Sequence, residues 1–383
     1  MAHKYLIGAT GTGKSTLLKQ LIPEMAFCLI DKHGTLAKEI ADSRPCVFWK
    51  PADLSHPIGL NPLQDVHPDD RWKVTADVVA IFADVWKLGP ETPRLLYYLR
   101  ASVRLLLDSP NTTLLGIRRI LSDSTYRARL EKKCTDIETR QTWTEFAQKT
   151  PKQQAEEIGS LQNKVAAFAD PLPLRYILGQ TTTLHIDKIL ERGEVLICDL
   201  SGLGDEPAAL IGALLINSFK QAAQSAREPK HYDLFIDEFQ SFGTSTIATI
   251  LSEARKWGLS LTIAHQFISQ LSDEVRDAVL GNAGTLISFR VGPNDAPIMG
   301  TAMDCHPSIL MNLGIGEYRF VSTLNGRRTD ATLAQTEVAE LERGHLPSNV
   351  RNTAANFGRS RALVEAMLSK STSLGWGNWR RNG

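Results

Sequence analysis

A glycine-rich loop near the start of the chain is the first feature whose residue types could do chemistry. A short apolar stretch, Tyr5–Ile7, leads into this loop, and a helical stretch, Leu17–Leu21, follows it. The order of strand, G-x-x-x-x-G-K-[S/T] loop and helix is that of a phosphate-binding loop, in which backbone N–H groups and the positive helix end surround phosphate oxygens. The loop residues are Gly8, Ala9, Thr10, Gly11, Thr12, Gly13, Lys14, Ser15 and Thr16.

Two side chains at the end of the loop have separate expected roles. The ammonium group of Lys14 is predicted to reach the β and γ phosphates of a nucleoside triphosphate, and the hydroxyl of Ser15 is predicted to bind Mg²⁺. The loop by itself therefore predicts a site for a nucleotide with its magnesium ion.

A pair of carboxylates supplies what hydrolysis needs in addition to binding. The apolar stretch Leu234–Ile236 ends in Asp237 and Glu238. Asp237 is the expected partner of Mg²⁺, and Glu238 is positioned to orient and polarise the water that attacks the γ-phosphate. The combination of loop and tandem carboxylates predicts an enzyme that turns over repeatedly.

A nucleotide-binding protein that is specific for guanine would be expected to carry the pattern Asn-Lys-x-Asp. The nearest segment, Asn163-Lys164-Val165-Ala166, lacks the final aspartate and lies in a helical region. Guanine specificity is therefore unsupported, and ATP with Mg²⁺ is the predicted cofactor pair.

Composition sets limits on partners and location. The 383 residues carry 43 Lys and Arg against 42 Asp and Glu, so no global field attracts the whole chain to nucleic acid. The apolar stretch at the start of the chain is too short for a signal peptide, and no run of about 18 apolar residues follows it. A cytoplasmic protein without a membrane span is expected, and recruitment to the inner face of a membrane by a partner stays possible.

Two kinds of periodicity alternate along the chain. Short apolar runs bounded by turn residues predict strands, and helical spacing separates them, which is typical of an α/β fold with a largely parallel sheet covered on both faces. A hairpin is expected from Tyr318–Leu324 through Asn325-Gly326 to Thr329–Leu333. The predicted strands are Tyr5–Ile7, Ala26–Ile30, Cys46–Trp49, Val195–Cys198, Leu234–Ile236, Leu261–Ala264 and Thr285–Phe289.

Helical spacing dominates one long segment between the third and fourth predicted strands. The predicted organisation is a nucleotide-binding domain in two segments, 1–64 and 181–345, with an all-α insertion at 65–180. A C-terminal helix and a flexible basic tail are expected over 346–383.

Further motifs extend the pattern beyond the two catalytic elements, and with them the chain resembles the HerA/FtsK superfamily of P-loop ATPases. Within it, the chain is similar to conjugative coupling ATPases of the TraG/TraD type, over residues 4 to 335. It departs from them in lacking transmembrane helices before Gly8. The motifs that carry the resemblance are Leu29–Leu36, Gly59–Leu63, Val195–Gly202, Asp237–Gln240, Glu253–Leu259, Ala264–Gln266, Gly281–Thr285 and Phe289–Gly292.

The resemblance implies a RecA-like fold, a homo-oligomeric ring, most simply a hexamer, and roles for three residues. Gln266 matches the glutamine that senses the γ-phosphate. Arg255 matches the arginine that reaches the site of the neighbouring subunit, where a guanidinium neutralises transition-state charge. Arg290 is the other candidate for this arginine finger, or for a residue that senses the phosphate, and the sequence does not decide between Arg255 and Arg290.

Four other polar residues near strand ends admit a structural role as readily as a functional one. His33 and His265 have no second ligand or nucleophile at useful spacing, so they are interpreted as structural or as neighbours of the phosphates. Asp31 and Asp199 end strands at the same edge of the sheet, where ligands collect in such folds, and they either line the site or cap loops.

DNA is the predicted partner, and its contacts were sought in local charge. A basic cluster in the helical insertion would bind phosphates without reading sequence, although a solvated helix face explains it equally well. Loops 202–206 and 241–244 and the tail residues Trp376, Trp379, Arg380 and Arg381 are further candidates. The cluster consists of Arg100, Arg104, Arg118, Arg119, Arg127, Arg129, Lys132 and Lys133.

The sequence thus predicts an ATP-hydrolysing ring motor that moves DNA, for mobile-element transfer or genome packaging. Either a membrane-anchored secretion or packaging partner provides the anchor, or the machine is not membrane-bound. Two alternatives remain. The first is a type IV secretion ATPase that acts on protein substrates, and the second is a nucleotide-controlled assembly scaffold with slow turnover.

Overall fold

The computed structural model describes residues 3–242, 244–324, 326–338 and 340–373. Asn325 of the predicted turn and the predicted tail contacts, from Trp376 on, lie outside the described residues. The ten described strands are β1 (Lys4–Ile7), β2 (Phe27–Asp31), β3 (Val47–Trp49), β4 (Leu196–Asp199), β5 (Tyr232–Asp237), β6 (Leu259–His265), β7 (Thr285–Ser288), β8 (Glu317–Leu324), β9 (Arg327–Arg328) and β10 (Thr332–Gln335).

Helices follow most of these strands. They are α1 (Lys14–Leu21), α2 (Thr35–Ser43), α3 (Arg71–Val85), α4 (Pro93–Leu107), α5 (Gly116–Ser122), α6 (Ser124–Glu131), α7 (Ile137–Gln148), α8 (Pro151–Ala169), α9 (Leu172–Leu178), α10 (Ile186–Arg192), α11 (Asp205–Ser225), α12 (Thr244–Glu253), α13 (Asp273–Asn282), α14 (Ala296–Met303), α15 (Pro307–Met311), α16 (Leu346–Phe357) and α17 (Arg361–Ser373).

All ten strands belong to one sheet, whose order is β10-β8-β7-β1-β6-β5-β2-β4-β3, with β9 paired to β8. The seven strands from β7 to β3 are parallel, and β8, β9 and β10 add antiparallel pairs at one end. The predicted α/β fold with a largely parallel sheet is therefore confirmed. The seven predicted parallel strands agree with the observed ones to within two residues at each end.

The predicted hairpin is partly different from the observed one. β9 pairs with the end of β8, and the next strand starts at Thr332, later than the predicted Thr329. β10 then pairs with the first half of β8, so that Gln335 lies opposite Glu317. The alternation of apolar and polar residues does not predict that two separate strands, β9 and β10, pair with β8, because Arg327 and Arg328 interrupt the apolar pattern.

The chain divides into two compact units. The first comprises the chain up to Lys50 together with Ile186–Gly202 and Leu215–Thr353, and the second comprises Pro51–His185, Leu203–Leu214 and the chain from Ala354. All described strands lie in the first unit. The predicted domain boundaries at 64, 180 and 345 stay predictions.

The central strands of the first unit are buried on both faces, as a parallel sheet requires. Every residue of β2 and of β6 is buried. On one face, α1 and α2 bury the apolar side of their helical pattern, Leu17 and Leu18 from α1 and Ile40 from α2, in a core with strand residues such as Leu29 and Phe235. This packing fixes the start of α1, and hence the loop before it, against the sheet.

The second unit has an aromatic core that contains one cation. Arg127 is 5% exposed, donates to the Ile120 carbonyl at 2.7 Å, and lies 5.4 Å from the Trp143 ring and 4.9 Å from the Phe146 ring. A guanidinium held this way cannot contact a DNA phosphate. The basic cluster inferred from the sequence is therefore smaller than expected.

Two further arginines of that cluster are engaged in the fold. Arg119 lies 3.5 Å from Asp123 and 4.0 Å from the Tyr126 ring, and Arg104 lies 4.0 Å from buried Asp108. The cluster members with exposed side chains are Arg100, Arg118, Arg129, Lys132 and Lys133.

Among the helices in the described ranges, none combines the length and the apolar composition that crossing a bilayer requires.

The exposed edge of the sheet at β3 is covered by polar side chains of α16. The backbone N–H of Cys46 donates to Asn349 Oδ1 at 3.1 Å, and that of Phe48 donates to Thr353 Oγ1 at 2.9 Å. Asn349 Nδ2 also donates to the carbonyls of Ala41 and Arg44 at 2.7 and 2.8 Å. An unpaired strand edge invites pairing with another chain, and this helix satisfies the edge instead.

We predict that Asn349→Leu lowers the free energy of unfolding by on the order of 3 kcal/mol, because one buried and two partly buried backbone groups lose their partner. The matched control is Asn352→Leu, an exposed position on the same helix. Urea unfolding followed by circular dichroism measures both variants, and equal midpoints would contradict the edge-covering role of Asn349.

Candidate active site

The register of three parallel strands places the chemistry-bearing residues at one edge of the sheet. β6 lies between β1 and β5. Ile7 at the end of β1 is opposite His265, and Asp237 at the end of β5 is opposite Ala264. The strands thus end level with one another. The residues that follow and meet at this edge are Gly8, Glu238 and Gln266.

Glycine is required at two points of the loop because other chain segments approach it closely. A Cβ on Gly8 would lie 2.5 Å from the Cβ of Phe289. Gly13 has a φ of 113°, and a Cβ there would lie 3.2 Å from the Cα of Gly316. The loop is also bonded internally, since Thr12 Oγ1 donates to the Ala9 carbonyl at 2.8 Å. The loop is thereby fixed in shape.

Lys14 begins α1 and lies across the loop. Its Nζ donates to the carbonyls of Gly8 and Ala9 at 2.6 and 3.2 Å. Burial lowers the pKa of this amine, while the charges of Glu238 and Asp237 act in the opposite direction. A partly desolvated ammonium beside two carboxylates is a strong attractor for the oxygens of a phosphate chain.

The second carboxylate of the tandem has a constrained backbone and two side-chain donors. Glu238 has φ 54° and ψ 46°, the left-handed region that is sparsely populated by residues other than glycine. Gln240 Nε2 donates to its Oε2 at 2.6 Å, and Gln266 Nε2 donates to its Oε1 at 2.8 Å. Both oxygens of this buried carboxylate are therefore held in place.

Gln266 connects this carboxylate with the phosphate-binding loop. While its amide nitrogen donates to Glu238, its Oε1 accepts from Thr10 Oγ1 at 2.9 Å. A change at the loop can therefore be transmitted to Glu238 through one amide group.

Asp237 lies in a concentration of negative charge. Asp237 ends β5, and the neighbouring strand β2 ends in Asp31. Burial raises the pKa of Asp237 to about 6, with further contributions from the charges of Asp31 and Glu238. Ser15 and Asp237 line the same cavity. Oxygen ligands with excess negative charge fit Mg²⁺, which binds through a few protein oxygens and keeps substrate phosphates and waters as the others.

Asp31 and Asp199 are neighbours on adjacent strands, but they have different surroundings. Asp31 accepts from the backbone N–H groups of His33 and Ala37 at 2.8 and 2.9 Å, so it fixes the start of α2. Asp199 is fully buried, with Lys38 and Lys50 at 3.9 and 3.8 Å. Asp31 lines the cavity and Asp199 does not.

The two histidines are separated by burial. His33 is exposed and lines the cavity. His265 is buried beside Tyr5, with Nε2 3.4 Å from the phenol oxygen, and burial together with the charge of Lys14 lowers its pKa to about 3. A neutral, enclosed imidazole is a packing element behind the loop.

The two candidate arginines occupy different places. The backbone carbonyl of Arg290 accepts from the Ala9 N–H at 3.0 Å, but its exposed side chain is not among those that line the cavity. Arg255 lies in a 3-10 turn, Ala254–Trp257, between α12 and β6, and its side chain lies outside the described part of the chain.

Lys14, Asp237, Glu238 and Gln266 all line one cavity of about 670 Å³. Two features of the site were not predicted from the sequence. Gln240 holds Glu238 but does not line the cavity; it falls within a motif to which the sequence assigned it no role, and its place two residues after Glu238 was an available signal. The wall formed by loops 315–316 and 335–338 had no signal, because its contact with the phosphate loop is long-range. The lining residues are Thr10, Gly11, Gly13, Lys14, Ser15, Thr16, Lys19, Asp31, His33, Thr35, Leu36, Glu39, Asp237, Glu238, Gln266, Ile315, Gly316, Gln335, Thr336 and Val338.

Comparison with known proteins supports the resemblance seen in the motifs. Residues 121–292 match the family model for conjugative DNA transfer by the type IV secretory system. A search of curated proteins finds no match.

Solved structures with the same fold cover most of the chain. The plasmid coupling protein TrwB in complex with the ATP analogue ADPNP aligns with a TM-score of 0.69 at 16% identity, covering 89% of this chain and 86% of that one. TrwB in complex with ADP and Mg²⁺ gives 0.67 at 16% identity, with 88% and 86% covered. VirB4 of Thermoanaerobacter pseudethanolicus gives 0.60 at 17% identity, with 88% and 89% covered.

At sequence identities of 16–17% the solved structures establish the fold alone. The family model adds a match in sequence over residues 121–292. The resemblance inferred from the motifs is confirmed: the chain has the RecA-like fold of TrwB and VirB4, and over residues 121–292 it is similar to the conjugative DNA-transfer proteins of type IV secretion.

Proposed function

We propose that the chain is an ATP-hydrolysing ring motor that moves DNA, in mobile-element transfer or in genome packaging. One observation above all supports the proposal that the chain hydrolyses ATP. The side-chain amide of Gln266 is hydrogen-bonded both to Thr10 of the phosphate loop, at 2.9 Å, and to the carboxylate of Glu238, at 2.8 Å. A carboxylate fixed this way is suited to position a water, which simple nucleotide binding does not need.

Each residue then has a defined part in hydrolysis. Lys14 exchanges its carbonyl partners for the β and γ phosphates, and Ser15 with Asp237 holds the magnesium ion. When bound, that ion would neutralise the charge that develops on the phosphate oxygens. Glu238 accepts a proton from the attacking water while Gln240 and Gln266 keep its two oxygens aligned. Loss of the γ-phosphate changes the surroundings of Thr10 and so reaches Glu238 through Gln266.

A ring is proposed because Arg255 cannot serve its own site. The phosphate loop follows the end of β1, level with His265, whereas Arg255 precedes the start of β6 at Leu259. The six steps along β6 at about 3.3 Å each separate the two edges by roughly 20 Å, beyond the reach of one arginine side chain. Arg290 lies beside its own loop, so it is the cis candidate and Arg255 the trans finger.

DNA as substrate is supported by the family match and by the fold, which TrwB shares. For the contact itself we propose three of the exposed members of the basic cluster, Arg129, Lys132 and Lys133, at and just after the end of α6. These three follow one another within five residues and would bind phosphates without reading bases.

A protein substrate is the second candidate, because nothing in the catalytic residues is specific to DNA. The same catalytic residues serve either polymer. We further propose that the protein works in the cytoplasm and is recruited to the inner face of the membrane by an anchored secretion or packaging partner.

We predict that Glu238→Gln keeps ATP affinity within about threefold of wild type but lowers kcat by a hundredfold or more, because an amide cannot accept the proton of the attacking water. Lys14→Ala should instead lose ATP binding, since it removes the charge at the phosphates. Calorimetric titration with an ATP analogue and a phosphate-release assay measure the two quantities. Near-wild-type turnover in Glu238→Gln would remove Glu238 from its role.

Arg255→Ala is predicted to bind ATP and to lose most turnover, on the order of a thousandfold. Mixing it with Lys14→Ala should restore part of the activity, because some interfaces then combine an intact Lys14 site with an intact Arg255. Native mass spectrometry confirms that mixed rings form. Mixed rings without recovery would assign the finger to Arg290.

Duplex or single-stranded DNA is predicted to stimulate hydrolysis, and the stimulation should fall steeply between 50 and 200 mM salt, roughly as expected for several phosphate contacts. Lys132→Glu with Lys133→Glu should weaken DNA binding and flatten the salt slope. The control pair is Lys87→Glu with Lys152→Glu, two other exposed lysines. Stimulation by unfolded protein and not by DNA would favour the protein-secretion alternative.

A further inference from the structure

Two large apolar side chains that line the active-site cavity are exposed to solvent. Ile315 is 75% exposed and Val338 is 89% exposed, and both line the cavity that holds the phosphate loop. Apolar side chains exposed singly are common, but two that line one ligand cavity mark a surface that a ligand can cover.

This wall is fastened directly to the phosphate loop. The Gly316 N–H donates to the Thr12 carbonyl at 2.9 Å, and the Thr336 N–H donates to the Gly316 carbonyl at 2.9 Å. Gln20 Nε2 on α1 donates to the Glu337 carbonyl at 2.6 Å. Ile315 and Val338 each adjoin one of these bonded residues, so their backbone positions are set by the same segment that surrounds the phosphates.

The cavity lining has two chemically different parts. The carboxylates and Lys14 gather where the central strands end, and they require a charged, hydrated group. Segments 315–316 and 335–338 contribute Ile315, Gly316, Gln335, Thr336 and Val338 to the lining, and none of these five side chains is ionisable. A flat heteroaromatic ring has apolar faces and a polar edge, and such a wall complements both.

We propose that the base of the bound nucleotide packs against Ile315 and Val338. The inference rests on the proposed function, since it takes the phosphate loop to hold a nucleoside polyphosphate. With the phosphates fixed at Lys14, the base reaches this wall within the same cavity, which Thr16 and Lys19 also line. Contact of apolar side chains with a base face is tolerant of base identity, so these residues contribute affinity to any nucleotide and none to the phosphates alone.

The test compares ligands with and without a base. Mg²⁺-ADP and Mg²⁺-pyrophosphate are titrated calorimetrically into the wild-type chain and into Ile315→Ser with Val338→Ser. Losing two apolar contacts should raise the Kd of ADP by tenfold or more and leave the Kd of pyrophosphate within about twofold. Leu333→Ser is the matched control, because Leu333 is 51% exposed on β10 and does not line the cavity.

The other outcomes overturn the proposal in distinguishable ways. An unchanged ADP Kd in the double variant, with wild-type binding intact, places the base elsewhere and leaves the proposed function standing. Equal weakening of both ligands means that the substitutions disturb the phosphate loop. A changed oligomeric state with unchanged ADP affinity makes Ile315 and Val338 a contact between copies of the chain. If the wild-type chain binds neither ligand, the proposed function itself fails.

Discussion

The parallel register of β1, β6 and β5 is the constraint on which the rest of the active site depends. Strands that run in the same direction and end level bring the residues that follow them to one edge. Here Ile7 lies opposite His265 and Asp237 opposite Ala264. The phosphate loop therefore becomes a neighbour of the tandem carboxylates and of Gln266, although more than two hundred residues separate it from both. A shift of one residue in β5 would turn Asp237 to the other face and separate it from Ser15.

Collecting three carboxylates at this edge is unfavourable, and each is compensated differently. Asp31 accepts two backbone N–H groups at the start of α2, while Glu238 accepts the amides of Gln240 and Gln266. Asp237 has one backbone donor, the Glu238 N–H at 3.1 Å, and its pKa is raised to about 6. Of the three, Asp237 therefore gains most from a cation, and this agrees with the role proposed for it.

The site combines fixed and adjustable parts. The phosphate loop is confined by Phe289 and Gly316, which leave no space for side chains at Gly8 and Gly13. In contrast, Glu238 has a left-handed backbone and contacts the loop through a single amide. A rigid phosphate cradle beside a carboxylate held by exchangeable hydrogen bonds is suited to a motor, because the state of the γ-phosphate must alter something that the rest of the chain can sense.

The sequence by itself determined the chemistry that is proposed for this protein, because the glycine-rich loop and the Asp237–Glu238 pair are recognisable from local spacing alone. It also determined the parallel strands, whose continuous apolar runs need no distant information to be recognised. Tertiary structure decided what depends on long-range contact. It buried Arg127 among aromatic rings, so that a charge expected at the surface became part of a core. It joined Gln240 and Gln266 on one carboxylate, and it placed Arg255 at the opposite sheet edge from its own phosphate loop. It also attached the 315–316 and 335–338 loops to residues near the start of the chain, since hydrogen bonds between segments three hundred residues apart leave no trace in local pattern.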